Sequence, residues 1–157
     1  MKVDFTKAFS QAEIENMLAS LIGNIASMRD HARRAFKGAG IDPDEVDAIA
    51  GEASNAIVQD LFDREKHGGI SRSGDYSGRN PELRNQVSFL RMSGGGVVIG
   101  PELQKVGDGS AQIAVDADVI DADGKRIGEL TAICEAAITA WEEGLARLGF
   151  DLSFAAD

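Results

Sequence analysis

One polar segment near the middle of the chain carries most of the residue types that could bind a ligand. Residues 68–85, GGISRSGDYSGRNPELRN, are rich in glycine, serine, arginine and asparagine, which predicts an exposed loop. Loops of this length are uncommon in compact domains unless they serve a function. Arginine forks, an aromatic ring and backbone amides can together hold a phosphate, a carboxylate or the acidic surface of a partner. The candidate binding residues are Arg72, Tyr76, Arg79, Asn80 and Arg84, together with Arg91 in the strand that follows.

The charge distribution agrees with a contact site in this part of the chain. The whole chain has a formal net charge of −10, yet residues 64–100 carry six basic and three acidic side chains. The alternative is an ordinary solvated loop whose arginines pair with the protein's own carboxylates, because surface charges of both signs normally intermix. The acidic total argues against binding to duplex nucleic acid or to anionic membrane surfaces, which attract basic proteins.

A group of aspartates later in the chain suggests a cation site: Asp116, Asp118, Asp121 and Asp123. Aligned on Gly124 as the sixth loop position, an EF-hand would need acids where Val119 and Leu130 stand, so this is not an EF-hand loop. A strand with one wet face, followed by a hairpin turn, accounts for the same residues. A divalent-cation-dependent enzyme that uses this strand is therefore kept as a third hypothesis.

The remaining reactive side chains have no catalytic spacing. His31 and His67 fall on separate predicted helices, and Cys134 falls on the apolar face of another, where a thiol is usually buried and inert. Glycines 94–96 precede an apolar strand, not the helix N-terminus that a phosphate-binding loop requires. No catalytic residue, metal ligand or cofactor is therefore assigned, and the sequence favours a protein that is not an enzyme.

Two predicted helices occupy residues 10–67. Ser10 and Glu13 have the spacing of a capping box, and the apolar residues that follow alternate steps of four and three up to a glycine stop at Gly38 or Gly40. Asp42 and Pro43 then begin a second helix that ends near Lys66. Because the link is short, the two helices should form an antiparallel hairpin. The first helix presents a heptad seam of Ile14, Leu18, Leu21, Ile25 and Met28.

Residues 86–131 change to a period of two, which predicts strands. The predicted strands are Gln86–Met92, Gly96–Gly100, Ile113–Val119 and Lys125–Thr131, and a last helix occupies residues 130–149. The predicted fold class is α+β: an N-terminal antiparallel helical hairpin, a small antiparallel sheet of three or four strands, and a C-terminal helix. The length of 157 residues fits a single domain.

Residues 78–89, GRNPELRNQVSF, and 95–100, GGVVIG, resemble tailed-phage tail-completion or neck proteins. In that family a helical half leads into a loop with a Gly-Arg-Leu-Arg type segment and then a β-hairpin that ends in Val-Val-Ile-Gly. The family's later Tyr-Ala and Glu-x-Gly-Thr signals are absent after Gly100. The resemblance implies a ring-forming structural protein without catalysis.

These features lead to an expected function and an alternative. The leading hypothesis is a non-enzymatic protein that self-associates or docks a protein partner, with the heptad seam as its interface; burial of the seam within the chain is the other interpretation. The second hypothesis is a protein that binds or sequesters a small anion, such as a nucleotide or another phosphorylated compound, through the arginine loop. A single cysteine and the lack of a long apolar run favour the cytoplasm of a bacterium or host cell, or a virion if the resemblance holds.

Overall fold

A computed structural model describes residues 9–67, 76–92 and 111–150. Within them the chain forms five helices and three strands, in the order α1 (Gln11–Ala26), α2 (Met28–Ala39), α3 (Pro43–Ala50), α4 (Ala53–His67), β1 (Glu82–Met92), β2 (Ala111–Ile120), β3 (Arg126–Glu129) and α5 (Leu130–Arg147). This order confirms the predicted α+β class. Among the described helices, none is long and apolar enough to cross a membrane.

The first predicted helix is two helices, because the chain breaks at Ser27. The capping box forms as expected: Glu13 N donates to Ser10 Oγ at 3.2 Å, and Ser10 N donates to Glu13 Oε2 at 2.7 Å. At Ser27 the hydroxyl donates to the carbonyl of Asn24 at 2.8 Å. Serine hydroxyls that bond to the preceding turn compete with the helical ladder and bend helices. The second half then ends at Gly40, whose φ of 72° is the left-handed conformation that glycine accepts.

The second predicted helix is also divided, at Gly51. Its start is as expected, since the side chain of Asp42 caps the first turn and Pro43 occupies the first helical position. The side-chain amide of Asn55 donates to the carbonyl of Ile49 at 2.9 Å and so satisfies one of the last carbonyls of α3. Helix α1 contacts α4 and α2 contacts α3, which is the pairing of a helical hairpin with a bend in each arm.

The sheet is antiparallel, with the order β1-β2-β3. Strand β1 begins at Glu82, four residues before the predicted start, so the expected loop 68–85 ends earlier than its composition indicates. A bulge between Arg84 and Val87 interrupts the pairing of β1 with β2, and Asn85 adopts a φ of 50° there. The predicted return strand Gly96–Gly100 lies outside the described residues.

The heptad seam packs inside the chain. Ile14, Leu18 and Ile25 are at most 6% exposed, and Leu21 and Met28 are half-buried against the same core. This core includes side chains from α1, α4, α5 and β2. A side chain buried there is not available to a second copy of the folded chain. For Ile14, Leu18 and Ile25, the structure therefore favours the alternative, burial of the seam within the chain, whereas the exposed parts of Leu21 and Met28 leave the predicted oligomer interface untested there.

Candidate functional site

An open cleft lies between the start of α4, residues 76–79, β3 and the first turns of α5. It has a volume of about 590 Å³. Its larger apolar side chains are Ile57, Ile127 and Ile133. Its polar side chains are Ser54, Tyr76, Ser77 and Arg79. Two residues proposed from the sequence, Tyr76 and Arg79, are therefore brought to one site, together with two serines that the sequence did not single out.

The segment that carries Tyr76 and Arg79 is attached to α4 by a buried carboxylate. Asp60 is only 4% exposed. It accepts three hydrogen bonds: from Tyr76 N at 2.7 Å, from Ser77 N at 2.8 Å and from Ser77 Oγ at 2.6 Å. A carboxylate taken out of water is costly unless such bonds satisfy it. Sequence reasoning missed Asp60, because an aspartate within an amphipathic helix pattern does not indicate which distant residues its carboxylate will bind.

The backbone of Arg79 is held on both sides of its Cα atom. Its N–H donates to Ser77 Oγ at 3.2 Å, and its carbonyl accepts from Ala122 N, in the β2–β3 turn, at 3.1 Å. Its side chain is exposed. Among the ion pairs of the described residues, none involves Arg79. Its guanidinium is thus the cation of the cleft that no described carboxylate neutralises.

Tyr76 connects the cleft to the α2–α3 region. Arg29 Nη1 donates to Tyr76 Oη at 3.1 Å, and the Arg29 guanidinium carbon lies 5.4 Å from the centre of the tyrosine ring. Arg29 Nε also pairs with Asp47 Oδ1 at 3.0 Å, and Arg33 pairs with the other oxygen of that carboxylate. Although desolvation by burial opposes it, hydrogen bonds from these two arginines lower the pKa of Asp47. Tyr76 remains 42% exposed.

The other candidate residues of the predicted loop are engaged elsewhere. Asn80 Oδ1 accepts from Arg64 Nη1 at 3.0 Å, and Arg64 Nη2 pairs with Glu82 Oε2 at 2.8 Å. Arg84 Nε donates to the other oxygen of Glu82 at 2.8 Å. Arg84 therefore pairs with one of the protein's own carboxylates. Arg72 and the side chain of Arg91 lie outside the described part of the structure.

The electrostatic environment of the cleft favours an anion. Of the described residues that line it, Arg79 is charged and none is acidic, although the chain has a net charge of −10. The first turns of α4 and α5 border it through Ser54 and Ala132. Helix N-termini carry partial positive charge and backbone N–H groups without helical partners. Asp116 Oδ1 satisfies one of these groups on α5, Thr131 N, at 3.0 Å.

Three of the four aspartates considered as a cation site have structural partners for their carboxylates. Asp116 accepts from the start of α5, and Asp118 accepts from Asn85 Nδ2 at 2.8 Å and from Arg126 Nε at 2.7 Å. Asp121 accepts from two backbone N–H groups of its own turn. In the described ranges, no group of three or more His, Cys, Asp or Glu side chains is arranged to hold a metal ion. These contacts give the aspartates roles in the turn and the helix start.

Cys134 is buried on α5, as its position in the apolar pattern predicted. Burial raises the pKa of its thiol to about 12, and the charges of Asp116 and Glu135 contribute in the same direction. A thiol in this state is a poor nucleophile, because the thiolate is the reactive form.

Comparisons with protein-family models, with curated proteins and with solved structures find no significant match to this chain. The cleft is therefore interpreted from its own geometry and charge.

Proposed function

We propose that this protein binds a small organic anion in the cleft beside Arg79 and does not itself catalyse a reaction there. The observation that carries the proposal is the composition of the described residues that line the cleft: one arginine, no acidic side chain and an apolar floor, in a strongly acidic chain. An oxyanion head would lie against the Arg79 guanidinium, which binds carboxylates and phosphates through paired N–H groups. An apolar body attached to that head would lie over Ile57, Ile127 and Ile133.

The size and composition of the cleft support this function. Small-molecule sites are typically clefts of roughly 300–1,000 Å³, mostly apolar, with a few polar groups that orient the ligand. The volume here is about 590 Å³, and the polar groups are concentrated at the end formed by residues 76–79 and the start of α4. The partial positive charge of the α4 N-terminus adds to that of Arg79, whereas the carboxylate of Asp116 already accepts a free N–H at the start of α5.

The arrangement of hydroxyls supports binding rather than nucleophilic catalysis. A serine acts as a nucleophile when an adjacent general base takes its proton and its oxygen is free to attack the substrate. The Ser77 hydroxyl instead donates into the buried Asp60 carboxylate and accepts the N–H of Arg79, so it is engaged within the protein. Among the described residues that line the cleft, no His, Cys, Lys, Asp or Glu lies beside Ser54.

A titration with simple probes tests the proposal. Phenyl phosphate and benzoate carry an oxyanion on an apolar ring. Inorganic phosphate carries the oxyanion without a ring, and phenol carries the ring without an oxyanion. Thermal unfolding in their presence should show an upshift with phenyl phosphate or benzoate, since a ligand of the native state at one hundred times its Kd adds about 2.7 kcal/mol of stability. Phenol and inorganic phosphate should give smaller shifts at equal concentration.

Two matched arginine variants make the test specific. Arg79→Ala should abolish the upshift, because it removes the cation of the cleft. Arg84→Ala should retain it, because Arg84 pairs with Glu82 and does not line the cleft. An upshift that survives Arg79→Ala, or the absence of any upshift with either ring-bearing anion, contradicts the proposal.

A partner-docking or self-assembling protein is the second candidate function, and the outer face of the sheet favours it. Leu83 and Val119 face the helices, whereas Val87 on the other side of β1 is 49% exposed. The resemblance to tailed-phage tail-completion or neck proteins points in the same direction. Light scattering on a size-exclusion column should then give a discrete oligomer that Val87→Asp disrupts. A monomeric mass at both low and high protein concentration would exclude self-assembly.

A further inference from the structure

We propose that Ser77 and Asp60 are positioning residues for Arg79, the cation of the cleft. The buried Asp60 carboxylate holds the Ser77 hydroxyl, and this hydroxyl in turn holds the backbone N–H of Arg79 in place. This inference rests on the proposed anion-binding function. It assigns a role in binding to the Asp60 carboxylate and the Ser77 hydroxyl, which would have none if Arg79 acted without them.

The geometry is a short chain of hydrogen bonds. Asp60 Oδ2 accepts from Ser77 Oγ at 2.6 Å, and the same Ser77 Oγ accepts from Arg79 N at 3.2 Å. The hydroxyl has one proton, so its donation to the carboxylate directs its lone pairs toward the N–H of Arg79. On the other side, Ala122 N donates to the Arg79 carbonyl at 3.1 Å. The base of the Arg79 side chain is thereby fixed from α4 and from the β2–β3 turn.

Attachment of the segment and positioning of Arg79 depend on separable bonds. Asp60 also accepts from Tyr76 N at 2.7 Å and from Ser77 N at 2.8 Å, and these two bonds need no hydroxyl. Loss of the Ser77 hydroxyl therefore leaves the segment attached to α4, while the N–H of Arg79 loses its partner. A purely structural role would require only the two backbone bonds.

The experiment compares Ser77→Ala with Ser77→Thr, which keeps the hydroxyl. Ser77→Ala should weaken phenyl phosphate affinity about threefold to tenfold, the effect of one hydrogen bond, and should accelerate hydrogen exchange at the Arg79 amide measured by NMR. Ser77→Thr should restore both the affinity and the slow exchange. Ser77→Cys, similar in size but a weak hydrogen-bonding group, replaces Ser77→Ala in the comparison if that variant is unstable.

The outcomes separate this inference from the function on which it rests. If the wild type binds phenyl phosphate and Ser77→Ala binds it equally well, the positioning role is overturned while the binding function stands. If the wild type binds no probe, the binding function fails, and equal exchange at the Arg79 amide in wild type and Ser77→Ala then overturns the hydrogen-bonded relay as well. Whether or not the wild type binds a probe, the hydrogen-bonded chain from Asp60 through Ser77 to Arg79 is supported if the Arg79 amide exchanges faster in Ser77→Ala and at the wild-type rate in Ser77→Thr.

Discussion

The crossing of α3 and α5 depends on a residue without a side chain, and the substitution Gly144→Ala tests this directly. Gly144 is buried on α5. A Cβ atom built there would lie 2.6 Å from Ile49 Cγ1, 2.7 Å from Cδ1 and 3.0 Å from Cγ2. Carbon atoms in contact are normally about 3.5–4.0 Å apart. The added methyl group therefore overlaps three atoms of one side chain.

The expected change in the free energy of unfolding follows from two opposing effects. Alanine is favoured over glycine within a helix by about 1 kcal/mol. Overpacking of a well-packed core costs typically about 1–3 kcal/mol. Ile49 is 3% exposed, and its branched Cβ restricts its rotamers, so the side chain has little room to move away. We expect the clash to outweigh the gain, with Gly144→Ala lowering the free energy of unfolding by up to about 2 kcal/mol.

Urea unfolding followed by tryptophan fluorescence measures this change. Trp141 is the single tryptophan of the chain and is 4% exposed on the same helix, so its emission reports the loss of this packing. Gly38→Ala is the matched control: it lies within α2, and a Cβ there would meet nothing within 4 Å. That variant should gain up to about 1 kcal/mol.

A double-mutant cycle isolates the contact. Ile49→Ala removes all three overlapping atoms and should itself cost about 2–5 kcal/mol, since it creates a cavity. Gly144→Ala should then be less harmful, or stabilising, in the Ile49→Ala background, because its methyl group occupies part of that cavity. A Gly144→Ala protein as stable as Gly38→Ala, with no coupling to Ile49, would refute this description of the crossing.

Three further predictions concern ionisable groups. The pKa of Asp47 is lowered, so Asp47 should contribute stability that is complete above the ordinary carboxyl pKa and lost as the pH falls through the lowered pKa of the folded state. In a series of unfolding measurements at decreasing pH, the difference in stability between wild type and Asp47→Asn, about 1 kcal/mol or less for a pair this exposed, should therefore shrink and disappear once the folded carboxyl is protonated. Burial and the charge of Glu15 raise the pKa of Glu65, so the ionised form of Glu65 is disfavoured in the folded protein. Glu65→Gln should therefore raise the thermal midpoint at pH 7, where Glu65 is ionised, but not at pH 3. The control Glu142→Gln, on the exposed side of α5, should not show this increase at pH 7. Cys134, with its raised pKa, should react with a thiol reagent at pH 8 only after unfolding, and rapid stoichiometric reaction of the native protein would contradict its burial.

The fold class could be predicted because its signals are local. The capping box at Ser10, the proline at position 43 and the left-handed glycine at position 40 each depend on a few neighbouring residues, and each is confirmed. The break at Ser27 was not predicted, because the apolar spacing continues across it from Ile25 to Met28. Residues on both sides of the break pack on one core. The apolar spacing therefore indicates which residues face the core but does not show whether the helix is continuous.

The site was predictable only in part, because its composition does not say which arginine is neutralised. The basic excess of residues 64–100 predicted a contact site in the segment that includes Arg79, but Glu82 alone engages both Arg64 and Arg84. Arg79 is distinguished from them by its place between the Ser77 hydroxyl and the β2–β3 turn, a tertiary contact that no spacing in the sequence encodes. Which arginine could act in the proposed binding is therefore decided by the partners that the fold brings within reach. Among the described arginines of this region, Arg79 lines the cleft, and no described residue of that lining is acidic.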